Sequence, residues 1–128
     1  MTKALKKWYK KDIKILKNQI DTFFLQHSLY YSREVIARSL QKNRQEIVTV
    51  NLSAFRDHIA ERMQSSHETA EHYKNVTWGS EEYRAEMVER FQKLADGDNK
   101  AVARIDGLLK RIEEEGLPQE VLDYKGTN

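Results

Sequence analysis

The residues best suited to chemistry in this chain sit in a few short stretches. His67-Glu68-Thr69-Ala70-Glu71-His72 combines two imidazoles with two carboxylates. A zinc-binding helix sets its histidines at i and i+4 so that both rings reach one ion. Here they lie five apart, roughly 140° around a helix axis, so the stretch reads as a solvated polar face. Asp96-Gly97-Asp98-Asn99-Lys100 offers oxygens in the manner of a calcium loop, which needs an oxygen ligand at position 5, glycine at 6 and glutamate at 12. Counted from Asp96, those positions hold Lys100, Ala101 and Gly107. The stretch is expected to be a helix-to-helix turn. No metal and no cofactor is expected.

The chain has no cysteine, which excludes disulfides, cysteine-based zinc sites and thiol catalysis. It carries no phosphate-binding glycine loop and no nucleophile elbow. Glu81 and Glu82 form a carboxylate pair, but at the start of a helix the helix dipole already accounts for them. No catalytic residue is assigned on these grounds. One spacing is suggestive: Arg62 and His67, with four residues between them, resemble the Arg-x4–6-His signature of the HEPN ribonucleases. That resemblance implies a small helical bundle in which the pair contacts and cleaves an RNA phosphodiester.

Charge is the most physical signal. The 22 Lys+Arg and 20 Asp+Glu nearly cancel overall, yet residues 1–59 hold 12 basic and 5 acidic side chains against 10 and 15 in the rest. Lys3, Lys7, Lys10, Lys14 and Lys17 repeat at helical spacing on one face. Arg33, Arg38, Arg44 and Arg56 follow in the same basic half. These nine residues are the candidate surface for nucleic-acid phosphates or another anionic partner, with affinity falling as salt rises.

Ala37, Leu40, Ile47 and Val50 fit the spacing of a helix-turn-helix, which would aim Arg44, Gln45 and Thr49 at a major groove. Thr49-Val50-Asn51-Leu52-Ser53-Ala54-Phe55 through Glu61 resembles the strand-to-helix opening of the prevent-host-death antitoxins, implying a strand, a Ser53 cap and a helix. Trp78-Gly79 before a charged helix resembles the turn of the helical-hairpin proteins exported by type VII systems. Read from the residues alone, Trp78 plugs a bundle end beside a glycine turn.

These residues need elements to hold them. Thr2 to His27 is expected to be a helix, because Tyr9, Ile13, Leu16, Ile20 and Phe23 step 4-3-4-3. Ser32 suits an N-cap for a short helix bearing Val35, Ile36 and Leu40. Residues 42–52 are the uncertain part: Glu46-Ile47-Val48-Thr49-Val50-Asn51-Leu52 is rich in β-branched side chains. A helix followed by an extended connector, a hairpin and two short helices all fit, and the first is preferred. Ser53 would cap a helix through Phe55, Ile59 and Met63, whose apolar face thins beyond Met63. Ser80 would cap another, with Tyr83, Met87, Phe91 and Leu94 inward. After a turn at 96–99, Val102, Ile105, Leu109 and Ile112 mark a last helix, stopped by Gly116 and Pro118.

The expected fold is mainly α, a single-domain bundle of four to five helices with an irregular or short β segment near 42–52 and a frayed tail at 119–128. No run of about 18 apolar residues could span a membrane, and the lysine-rich start is no signal peptide, so a cytoplasmic protein is expected. The expected function is a non-enzymatic interaction module, an adaptor or regulator acting through protein–protein contacts or self-association. A nucleic-acid-binding regulator is the alternative, and a HEPN-like ribonuclease a more distant one. No small-molecule substrate is identified.

Overall fold

The computed structural model describes residues 7–127; Lys3 lies outside them. Four helices follow in order: α1 Lys10–His27, α2 Arg33–Asn75, α3 Glu81–Glu115 and α4 Gln119–Leu122. No strand occurs among the described residues. The mainly helical reading holds; no short β segment is shown near 42–52, and the irregularity there is a kink at Asn43. The chain divides into two compact units, one made of Met1–Leu52 with Leu108–Asn128, the other of Ser53–Gly107.

In the first unit, α1 buries Leu16, Ile20 and Phe24. These fall four apart, on one flank of a helix. Ile13 and Phe23, expected beside them, are half-buried. Tyr9 precedes the helix and is 72% exposed. The facing part of α2 contributes Ile36, Leu40, Val48 and Leu52, again at multiples of four. Their ladder runs past the polar stretch Gln41–Gln45. Asn43 leaves helical geometry, at φ −131° and ψ 30°, so two helical stretches meet at a kink there within α2. The β-branched residues at 47–50 are therefore helical, Val48 being fully buried. No strand leads to a Ser53 cap; Ser53 lies inside α2.

Leu108 and Ile112 of α3, with Leu117 and Val121, complete this core. At the end of α3, Gly116 takes φ +80° and its N–H bonds the Ile112 carbonyl at 2.8 Å. This left-handed stop is the one its sequence implies. Pro118 then precedes α4.

The second unit is a helical hairpin, closed by residues 76–80. The Ser80 hydroxyl accepts the Tyr83 N–H at 3.1 Å, the cap expected of it. Arg56 meets Asp106, Arg62 meets Asp98, and Tyr73 stacks on Phe91. One helix thus climbs in number as the other descends, an antiparallel register. The turn expected at 96–99 is absent, since α3 runs through it. Leu94, expected inward, is 52% exposed, and Ala95 takes its place at the seam. Nor does α2 lose its partner beyond Met63: Ser66 and Ala70 are buried there.

Candidate functional site

Three surfaces present groups able to recognise something. The first is the cationic face of α1. Lys7, Lys10 and Lys14 are exposed and make no ion pair with a described residue. With 100° per residue, Lys10 and Lys14 lie well away from Leu16 and Ile20, as their spacing implied. Lys17 departs from the set, because its ammonium sits 5.3 Å from the centroid of the Tyr124 ring. Of the arginines proposed to support this face, Arg38 is exposed on α2.

The other three arginines are committed elsewhere. Arg44 donates from Nη1 to the Val121 carbonyl at 3.0 Å and also to the Tyr124 carbonyl. Burial lowers its pKa, with Asp123 opposing. Arg33 donates to the Lys125 carbonyl at 3.3 Å and lies over the Phe24 ring. Arg56 belongs to the hairpin unit and pairs with Asp106 at 3.0 Å and Asp57 at 3.4 Å.

Arg33 and Arg44 hold the C-terminal segment that was expected to fray. The Tyr124 hydroxyl donates to both carboxylate oxygens of Asp21, at 2.9 and 3.0 Å. The Thr127 N–H reaches the same carboxylate at 3.0 Å. Gly126, at φ +90°, lies so close to Phe24 that a Cβ there would come within 3.1 Å of its ring. Burial raises the Tyr124 pKa; the Thr127 hydroxyl opposes this and Asp21 adds to it.

The second surface is the α1–α2 turn, which spacing arguments missed. Leu25, Leu29, Tyr30, Tyr31 and Val35 are 75, 86, 81, 56 and 42% exposed. The available signal was the run Leu29-Tyr30-Tyr31, three large apolar residues just before the Ser32 cap. Ser32 does cap α2, its hydroxyl accepting the Val35 N–H at 3.4 Å.

The third surface is the hairpin end, within the second unit. Tyr73 packs edge-on against Trp78 and Tyr83, and its ring stacks at 6.0 Å on Phe91. Burial and the Tyr83 hydroxyl raise the Tyr73 pKa. Trp78 remains 54% exposed.

Arg62 and His67 both lie on α2. The Arg62 guanidinium is taken up by Asp98, with contacts of 2.7 and 3.0 Å. His67 lies exposed five residues further along the same helix. No group of three or more metal-ligating side chains occurs among the described residues. No helix among them is long and apolar enough to cross a membrane. No family model matches this chain, and neither does a curated protein or a solved structure.

Proposed function

We propose that this chain is a non-enzymatic interaction module acting by protein–protein contact, and that its α1–α2 turn docks against a second copy of itself. The observation that carries this reading is the set of five large apolar side chains exposed in and on either side of one turn. Clustered apolar exposure of this kind marks interaction surfaces on soluble domains. A two-fold contact lets one patch serve both partners, since each copy presents the same residues. Tyr30 and Tyr31 suit such a contact, burying a ring while leaving a hydroxyl for the wet rim.

Sedimentation velocity over a concentration series tests it. Wild-type protein should shift from monomer to dimer, and Leu29→Glu with Tyr30→Ser should stay monomeric with an unchanged melting temperature. A wild-type mass that stays monomeric at the highest concentration rejects self-docking.

The exposed Lys7, Lys10 and Lys14 support a second reading, a regulator that binds nucleic acid through α1 and Arg38. Mobility-shift titrations at two salt concentrations separate it from the first. Phosphate contacts release counterions, so genuine binding weakens steeply with salt. Absence of any shift at low salt removes this reading.

A further inference from the structure

The cavity beside the start of α1 carries chemistry that protein docking does not use. Its volume is about 570 Å³, and Lys7, Trp8, Lys10, Arg111, Glu115 and Glu120 contribute to its wall. Arg111 stacks on the half-buried Trp8, its guanidinium carbon 3.8 Å from the ring centroid. The same guanidinium holds Glu115. Arg111 and Glu115 thus neutralise one another, leaving Lys7 and Lys10 against Glu120.

Lys10 is also the first residue of α1, and Tyr9 gives that helix no side-chain cap. The positive end of the helix dipole therefore reinforces the two lysines. Asp12, in the same first turn, is buried and lies two residues beyond Lys10, roughly 200° around the axis. A simple anion would need only the ammonium groups. An indole in the wall adds a flat, polarisable surface, which accepts any nucleobase by stacking.

We infer that this cavity binds a nucleoside phosphate, either free or as the end of a single strand. The base stacks against the Trp8 face opposite Arg111, and Lys7 and Lys10 hold the phosphate. The inference is independent of self-docking, since no residue of the 25–35 patch lines the cavity.

The chain has two tryptophans, so Trp78→Phe leaves Trp8 as the sole indole reporter. In that background, Trp8 fluorescence is titrated with adenosine, adenosine 5′-monophosphate, inorganic phosphate and a 5′-phosphorylated oligodeoxyadenylate. Saturable quenching by the monophosphate is expected, at least roughly tenfold tighter than by adenosine, about one charge-assisted contact. Lys7→Glu with Lys10→Glu should weaken it by a similar factor or more without lowering the melting temperature. Equal affinity for monophosphate and oligonucleotide assigns a free nucleotide. A tighter, salt-sensitive oligonucleotide assigns a strand end. The inference is overturned if neither nucleotide quenches saturably, if the double variant binds as well, or if inorganic phosphate binds as tightly as the nucleotide.

Discussion

Arg62 and Asp98 meet in a two-pronged ion pair, Nη2 lying 2.7 Å from Oδ1 and Nε 3.0 Å from Oδ2. Fork geometry of this kind fixes orientation as well as attraction. It explains how an aspartate can sit in the buried seam of the hairpin. It also accounts for the continuity of α3 through Asp96-Gly97-Asp98-Asn99, where composition alone signals a turn.

The pair has a consequence at low pH. Hydrogen bonding from Arg62 holds the Asp98 carboxyl below its ordinary value of 3.8, against an opposing effect of burial. A carboxyl lowered in this way contributes stability above its unfolded pKa and loses it as pH falls through the folded one. Thermal melts on acidification should therefore decline at and below the ordinary carboxylate range. Asp98→Asn should melt lower near neutral pH and show a flatter acid limb. Superimposable acid limbs for the two proteins would remove this role.

Tyr124 makes the opposite prediction in alkali. Its phenol is held protonated above the ordinary 10.0, chiefly by burial. A raised pKa gives stability that is complete below the unfolded value and lost as pH rises through the folded one. Tyr124→Phe should flatten the alkaline limb of the melting profile while lowering stability near neutrality. Tyr73, raised likewise in the hairpin unit, is untouched by that change and should leave a residual slope.

Leu16 is fully buried in α1. Leu16→Ala should cost roughly 2–5 kcal/mol, the lost transfer energy plus the cavity left behind. Chemical denaturation measures this as a fall in midpoint at constant slope. A loss below the lower bound would show that the inward stripe of α1 is wrongly placed.

The lysines of α1 should divide into two groups. Lys14→Glu alters an exposed side chain and should change stability by less than about 0.5 kcal/mol, and Lys10→Glu, at the positive end of the α1 dipole, should not lower it. Lys17→Glu also removes an ammonium from the Tyr124 ring, an interaction of about 0.5–1 kcal/mol at exposed sites. It brings a carboxylate near the ring as well, so its melting temperature should fall further. Equal melting temperatures for all three variants would place Lys17 with the plain surface lysines.

Local signals were the legible ones. Ser32, Ser80 and the Gly116–Pro118 stop act through hydrogen bonds and torsion preferences within a few residues, so they could be read from composition in place. The stretch 42–52 could not. Its β-branched side chains favour strands on average, but Val48 and Leu52 extend the ladder begun by Ile36 and Leu40, and burial outweighs that preference. The four-residue spacing was visible, and the polar run from Gln41 to Gln45 obscured it.

Tertiary partners explain the remaining differences. Arg44 reads as part of an anion-binding surface because it lies in the basic half of the chain; its Nη1 donates to carbonyls some eighty residues away. The same contacts reach Val121 and Tyr124, inside the segment 119–128 that composition describes as loose. On the candidate surfaces, the outward lysines followed from helical spacing. The turn residues Leu29 to Tyr31 did not, because periodicity says nothing about side chains outside a helix.

Between the Arg62–Asp98 rung and the Tyr73–Phe91 stack, the buried residues are Ser66, Ala70 and Ala95. Interaxial distance follows the bulk of the side chains at a crossing, so these three set a narrow gauge for the hairpin. Bulk added there has nowhere to go except into levering the two backbones apart, because close-packed interiors do not absorb extra methylenes. The middle of the hairpin is accordingly its most size-restricted zone, kept tight by what its side chains lack.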